Sequence, residues 1–216
     1  MTKLNQRGLL PGQTPIGFYS VKTKSGQPYN VAPWNYAGTE GDTITTYAPT
    51  VVDWVLVSLR VSVSSRVPAW RGAVLLHENG SITFPQSCLN IPFGAYYVVL
   101  EHRNHLGVMS PNPVTMVNGN MSFDFTLSDS YVVVDPPSYG SKKLIDGQWV
   151  MLSGDAVKNT PSSYFDIGPS EMQLWNVAAG LSDQYRAADF NMDADINSND
   201  LVLWKANAGK YSAIPH

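Results

Sequence analysis

Residues 189–200 form the run Asp189-Phe190-Asn191-Met192-Asp193-Ala194-Asp195-Ile196-Asn197-Ser198-Asn199-Asp200, in which every second residue carries a side-chain oxygen. This spacing is typical of a loop that wraps around a calcium ion, because such a loop supplies oxygen ligands from its positions 1, 3, 5, 7, 9 and 12. The alternative interpretation is an acidic turn that is exposed to solvent and binds no metal. The predicted ligands are the side chains of Asp189, Asn191, Asp193 and Asp200, the backbone carbonyl of Asp195, and Asn197 through a water molecule.

The sixth position of this loop departs from the usual pattern. It is Ala194, whereas a tight turn there favours glycine, since only glycine takes a positive φ without a steric penalty. The sequence therefore predicts a calcium site that is weakened or bent at Ala194.

The C-terminal third contains two similar segments, Asp166–Gly180 and Asp195–Gly209, offset by 29 residues (166 to 195). Each has a loop that ends in an acid, one short helix and a glycine at the helix C-cap. Trp175 matches Trp204, so we expect the two units to pack about a pseudo-twofold axis with both tryptophans in a shared core. A second calcium ion in the first segment would take Asp155, Asn159 and Glu171 as ligands. The alternative is a decayed loop that is kept for its helix, because Val157 stands at a ligand position.

The first two thirds of the chain are predicted to form antiparallel strands. Val51–Val61 alternates between two largely apolar faces, which favours a strand inside a sandwich. Asn79-Gly80 between apolar runs predicts a hairpin. Residues 1–50 are predicted to be loops tied down by Leu9, Leu10, Pro33, Trp34 and Tyr36. The other predicted strands are Tyr96–His102, a hairpin of Val114–Val117 with Met121–Leu127, Tyr131–Val134 and Ile145–Leu152.

The predicted fold class is therefore mainly β, with an antiparallel β-sandwich over residues 1–140 and a pair of calcium loop–helix units over residues 141–216. On this division, removal of calcium should melt the region from about residue 155 onward before the sandwich.

Composition narrows the possible functions. Of the 216 residues, 44% are apolar and only 14% are charged, against about 25% charged in an average soluble domain, which favours a secreted β-protein. The net charge of −3 indicates neither nucleic acid nor an anionic membrane as a partner. No apolar run is long enough to insert into a membrane. Cys88 is the only cysteine, so neither an internal disulfide nor a thiolate zinc site can form.

No sequence pattern points to a catalytic site, and we predict that the protein is not an enzyme. His102 and His105 could bind zinc with Glu101, but strand alternation is expected to send His102 to the opposite side, which favours a structural role in a turn. Several aromatic residues could form a platform for a glycan, although core packing explains them equally well. These are Trp34, Tyr36, Trp54, Trp70, Tyr96 and Tyr97.

Two sets of motifs resemble known families. The Asp-x-Asn-x-Asp loop followed by Asp200-Leu201-x-Leu203-Trp204 resembles the calcium repeat of dockerins, so the C-terminal units are expected to be dockerin-like. The β region resembles a module near the C-terminal end of large secreted surface proteins of Bacteroidota, often labelled haemagglutinin-like. This resemblance implies an extracellular or cell-surface location and implies no reaction. It rests on Pro28–Tyr36, Val52–Arg60 and Tyr96–Ser110.

Two functional hypotheses follow. The first is a calcium-stabilised, secreted structural subunit that associates with copies of itself or with sister modules in a surface or filamentous assembly, through an open sheet edge. The second is an adhesin for a glycan or a dockerin-type module for a cohesin-like partner. Its docking face would include Ser198, Asn199 and Lys205.

Overall fold

The computed structural model describes residues 3–17, 20–83, 91–118, 121–132, 140–158 and 166–215. The protein is mainly antiparallel β, as the sequence predicts. No helix in these ranges is long and apolar enough to cross a membrane. The elements in chain order are α1 (Lys3–Gln6), β1 (Val51–Arg60), β2 (Trp70–His77), β3 (Ile82–Thr83), β4 (Ala95–His102), β5 (His105–Met109), β6 (Val114–Thr115), β7 (Lys142–Ile145), β8 (Gln148–Met151), α2 (Pro169–Ala178) and α3 (Ser198–Asn207).

The main sheet has the strand order β3-β2-β1-β4-β5, and β6 pairs with β4. The central strand β1 is buried over all ten of its residues, which confirms the prediction that both of its faces are covered. Its two faces belong to separate cores. One face, with Trp54 and Leu56, packs against the N-terminal segment, and the other, with Val55, Val57 and Leu59, packs against β2 and β4.

The N-terminal segment covers the sheet with little regular structure. Apart from α1, the described part of residues 1–50 contains no helix or strand, and its apolar side chains form one core with Trp54. This agrees with the prediction of loops tied down by apolar anchors. We call this core the N-terminal core, and it contains Leu4, Leu9, Leu10, Tyr29, Trp34, Val51, Trp54, Leu56, Ala73, Leu75, Met192 and Ala194.

The strand predictions are correct in the first half of the sheet and partly wrong after it. The hairpin predicted from Val114–Val117 and Met121–Leu127 is wrong, since Val114–Thr115 pairs with β4 instead and residues 121–127 form no strand. Of the predicted strand Tyr131–Val134, the first two residues are not in a strand and the rest lie outside the described residues.

The segment predicted as one strand, Ile145–Leu152, belongs to a hairpin. Asp146 and Gly147 both take positive φ values, 48° and 79°, which is the backbone of a two-residue type I′ turn. The chain therefore reverses there, and β7 pairs with β8. The Asp146-Gly147 turn, and not the apolar periodicity of residues 145–152, therefore determines the structure of this segment.

Candidate metal centre

Helices α2 and α3 are related by the 29-residue repeat, and their hydrogen bonds are reciprocal. Gly180 N–H donates to the Ile196 carbonyl at 2.9 Å, and Gly209 N–H donates to the Ile167 carbonyl at 2.8 Å. Both glycines take positive φ, 87° and 80°, as the predicted C-terminal caps require. The predicted pseudo-twofold pairing is therefore present in the backbone.

The two tryptophans make matching bonds but do not share one core. Trp175 Nε1 donates to the Asn197 carbonyl at 3.0 Å, and Trp204 Nε1 donates to the Gly168 carbonyl at 3.1 Å. Each indole thus binds the residue that precedes the opposite helix. Trp175 packs near Ile196 and Trp204 packs near the core of β4, β5 and the C-terminus, so the prediction of a shared tryptophan core is wrong.

The carboxylates at the two ends of the 189–200 loop turn inward onto the loop backbone. Asp189 accepts from Asp193 N–H at 3.0 Å and from Ala194 N–H at 2.9 Å. Asp200 accepts from the N–H groups of Phe190 at 2.7 Å and Asn197 at 2.8 Å. Positions 1 and 12 of the predicted ligand set therefore face the same loop interior.

The side chains at the intermediate positions bond partly within the loop and partly to a residue outside it. Asn191 Oδ1 accepts from Asp193 N–H at 2.9 Å, and Asp193 Oδ1 accepts from Asp195 N–H at 3.0 Å. The carboxylate of Asp195 is turned away and forms two bonds with the guanidinium of Arg7, at 2.9 and 3.0 Å. Asn197 caps α3 through a bond from Asn199 N–H at 2.8 Å. Asp195 can therefore offer only its backbone carbonyl to an ion, as the sequence predicts.

Ala194 occupies the left-handed conformation expected at position six, with φ 74°. Such a conformation costs an alanine roughly 1 kcal/mol relative to glycine. The side chain is 1% exposed and lies in the N-terminal core with Met192. Packing of this methyl group offsets part of the backbone cost.

Two buried carboxylates of the loop have no cationic partner. Asp189 and Asp200 are both fully buried, and among the described residues neither lies within 4 Å of a lysine, arginine or histidine nitrogen. Burial raises the pKa of Asp189 to about 6, against the opposite effect of the Arg103 charge, and burial also raises the pKa of Asp200. The loop interior therefore favours either protons or a bound cation.

The oxygen set fits calcium better than a transition metal. The donors are carboxylates, one amide and one backbone carbonyl, which are hard ligands of the type that Ca²⁺ prefers. In the described part of the chain, no group of three or more His, Cys, Asp or Glu side chains is assembled around one point. Instead, the loop carboxylates accept bonds from its own N–H groups. The loop is therefore a candidate calcium site by its donor chemistry and ligand spacing, although its acidic side chains are not gathered around one point.

The first repeat offers fewer ligands. Asn159 lies outside the described residues. Glu171 accepts from the N–H groups of Gly168 and Val157, and Asp155 is ion-paired with Lys158.

The β4–β5 turn binds directly to the candidate loop. Asn104 Nδ2 donates to the Asp189 carbonyl at 2.5 Å. Arg103 Nε donates to Asp53 at 2.8 Å, and its Nη1 donates to the carbonyl of Arg186. The turn thus connects Asp53 on β1 with the segment that enters the loop.

Asp53 is the centre of this buried network. It is 0% exposed on β1 and also accepts from Tyr185 Oη at 2.5 Å, while His102 Nε2 lies 3.2 Å from it. Burial alone would raise the pKa of Asp53, but the Arg103 charge and these bonds hold it below its ordinary value. We call this set, together with Arg103, the Asp53 network.

The Asp53 network is not predicted by any of the sequence motifs, although one signal for it is present in β1. An acid inside a strand that is apolar on both faces must have a buried partner. The prediction for the histidines also needs correction, because His102 and His105 are register partners across the β4–β5 turn and their rings lie 4.8 Å apart. Their role is structural, since they bond to Asp53, Asn104 and each other.

Packing crosses the predicted boundary at residue 140. Met192 and Ala194 belong to the N-terminal core, and Leu152, Ile167 and Ile214 pack with strands β4 and β5. The division at 140/141 itself stays a prediction, but the two parts share their apolar cores.

No protein-family model matches the sequence, and no curated protein matches it. Among solved structures, the chain is similar to two type II cohesin–X-dockerin complexes from Acetivibrio cellulolyticus. One is a C-terminal interface mutant, with a TM-score of 0.42 and 15% identity, and the other is an N-terminal interface mutant, with a TM-score of 0.41 and 17% identity. Each alignment covers 74% of this chain and 83% of the matched chain in the complex. Values this low establish neither a shared fold nor a shared function.

The Asp53 network yields a first prediction. Asp53→Asn removes the charge that neutralises buried Arg103, so we expect a loss of about 3–5 kcal/mol in the free energy of unfolding. Denaturant unfolding measures this loss. Asp146→Asn, at an exposed turn position that asparagine tolerates, is the matched control and should change stability by less than about 0.5 kcal/mol. Equal stability of the two variants would contradict the role of the network.

Proposed function

We propose that this chain is a non-enzymatic, extracellular structural module that is fastened by one calcium ion in the 189–200 loop and associates with copies of itself. The observation that carries the proposal is the pair of buried carboxylates, Asp189 and Asp200, that face one loop interior without a cationic partner among the described residues. A bound Ca²⁺ would neutralise both.

Calcium would act on the whole fold and not only on the two helices. The Asp189 carbonyl accepts from Asn104 of the β4–β5 turn, and Met192 packs in the N-terminal core. An ion that orders the loop therefore also orders contacts to β1, β4 and the N-terminal segment.

The placement of the titratable groups supports a non-enzymatic role. Asp53, His102 and Arg103 are the most closely assembled acid, imidazole and guanidinium that the described ranges contain, and they are 0%, 2% and 6% exposed. A substrate could not reach these groups without opening the core. Their burial favours a structural purpose.

An extracellular location agrees with the composition and with the proposed ion. Only 14% of residues are charged. Extracellular calcium modules work at roughly 10⁻⁴–10⁻³ M calcium, so a loop with Ala194 at the turn position and with competing internal hydrogen bonds could still be filled there.

The sheet edge supports self-association. Among the described residues, β3 consists of two residues and pairs only with β2, and β2 has a partner on its outer side only at Leu75 and Leu76. An edge of this kind can pair with a strand of a second chain. Ile82 on β3 is 36% exposed.

A second candidate function, a docking module, is favoured by the outer face of α3. Ser198, Asn199 and Lys205 are exposed there, as the sequence interpretation requires, and Val202 between them is 63% exposed. A glycan platform is less well supported, because Trp34, Trp54 and Tyr96 of the predicted aromatic set are buried.

Calcium removal gives the second prediction. Calcium at about 100 times its Kd should stabilise the chain by about 2.7 kcal/mol and raise its Tm by roughly 5–10 °C. Asp189→Asn should abolish this shift. In chelator, however, the variant should be at least as stable as the parent protein, because it removes a buried charge that has no counter-ion. Calorimetry with and without calcium measures both effects, and Asp146→Asn should retain the full shift.

The unfolding pathway gives the third prediction. Because the cores are shared, chelation of calcium should raise the exchange rate of the protected amides in α2, α3 and β1 to the same extent. Hydrogen-exchange mass spectrometry can resolve these segments. Helices that open alone while β1 stays protected would support the earlier expectation that the region after residue 155 melts first.

Self-association gives the fourth prediction. Light scattering should show a mass above that of one chain in calcium. Ile82→Lys should reduce this mass, since a charge on an edge strand opposes pairing with a neighbour. Leu144→Lys, at a position that is 52% exposed on the β7–β8 hairpin, is the control and should not change it. A chain that stays monomeric at high concentration in calcium would contradict self-association and favour the docking module.

A further inference from the structure

The first repeat contains a buried ion pair where the second repeat has unpaired acids. Asp155 is 0% exposed, and its Oδ2 is bonded to the ammonium of Lys158, whose side chain is 1% exposed. Lys158 Nζ also donates to the His105 carbonyl at 2.9 Å. The ammonium is thus enclosed between the first repeat and strand β5.

Hydrogen bonds to the closing acids align the two loops. Gly168 N–H donates to Glu171 at 2.7 Å, as Asn197 N–H donates to Asp200 at 2.8 Å. Val157 N–H also donates to Glu171 at 3.2 Å.

The bond from Val157 N–H to Glu171 also has a counterpart in the 189–200 loop. Asn191 N–H donates to Asp200 at 3.2 Å, so Val157 corresponds to Asn191. Asp155, two residues earlier than Val157, then corresponds to Asp189.

Under this correspondence, the first loop lacks the calcium ligand of its third position. Its third position is Val157, which has no side-chain oxygen. Lys158 follows directly and brings a cation that can donate three hydrogen bonds. Two of these bonds reach Asp155 and the His105 carbonyl.

We propose that the ammonium of Lys158 takes the place of a second calcium ion, so that the first loop is closed without metal and the chain binds one calcium ion only. This inference rests on the proposed function and extends it, because it treats the 189–200 loop as the open cation site of the two repeats within the described residues. It disagrees with the expectation of a second ion at Asp155, Asn159 and Glu171.

The surroundings of Asp155 explain why a nearby cation stabilises its charged form. Its Oδ1 has no hydrogen-bond partner among the described residues. Burial raises the pKa of Asp155 to about 7 and lowers the pKa of Lys158. Each group would therefore be strongly disfavoured as an isolated charge at this position, and the pair must be kept or lost together.

Calcium stoichiometry, measured by titration calorimetry on the whole chain, tests the proposal. We expect one ion per chain, with binding lost in Asp189→Asn. Two ions would overturn the Lys158 inference and leave the proposed function standing. No binding would overturn the proposed function, and the inference would then be decided by stability measurements in chelator.

A double-mutant cycle of Lys158→Met and Asp155→Asn in excess chelator provides those measurements. We expect the two substitutions to be coupled. The folded-to-unfolded ratio of the double variant should be about 10- to 100-fold higher than independent effects of the two single substitutions would give. Additive effects would overturn the inference. If Lys158→Met does not fold, its rescue by Asp155→Asn supports the pair, and failure of that rescue contradicts it.

Two further variants serve as controls for the cycle. Lys158→Arg keeps the cation and should retain most of the stability that Lys158→Met loses. Lys143→Met, at an exposed position on β7, should leave unfolding unchanged in calcium and in chelator alike.

Discussion

The ion pair between Asp53 and Arg103 is the interaction on which the arrangement of this chain depends. It places a carboxylate in a fully buried and mostly apolar strand and requires a cation at the same depth. The β4–β5 turn supplies that cation, and the guanidinium also packs over the ring of Tyr185 at 4.3 Å. Because Tyr185 and Arg186 lead into the 189–200 loop, neutralising Asp53 also fixes where that loop meets the sheet.

The same requirement organises the buried and partly buried acids around the repeat pair. Asp195 is neutralised by Arg7 of the N-terminal segment, and Asp155 is neutralised by Lys158 within its own loop. Within the described ranges, Asp189 and Asp200 have no cation within 4 Å, and neither has Glu171, which accepts from the N–H groups of Gly168 and Val157. Asp189 and Asp200 stand at positions 1 and 12 of an oxygen-rich loop, where the proposed calcium ion would neutralise both carboxylates.

Local patterns in the sequence predicted local structure well. The alternation of Val51–Val61, the Asn79-Gly80 turn and the 29-residue repeat each depend on neighbouring residues, and the structure contains β1, the β2–β3 hairpin and the helix pair. Predictions failed where contacts between residues that are not neighbours in sequence determine the structure. Val114 pairs with Tyr96 of β4 instead of with a following strand, and the β4–β5 reversal brings His102 against His105. The candidate ligands followed from spacing alone, whereas the contacts that hold the loop could not, because Arg7, Arg103 and Asn104 lie more than 80 positions away in sequence.

The shared cores change what calcium would do for this protein. In a separate C-terminal appendage, an ion would stabilise two short helices whose own packing is slight. Here the loop backbone is bonded to the β4–β5 turn, and Met192 and Ala194 complete the core under Trp54. A loop that opened would expose part of that core and remove the support of Asn104, so the free energy of calcium binding would be distributed over the sheet and the N-terminal segment. The positive φ of Ala194 fits this arrangement, since glycine would relieve the backbone but remove a methyl group from the contact between loop and sheet. With alanine at this position, the loop bends less easily but is attached more firmly to the body of the protein.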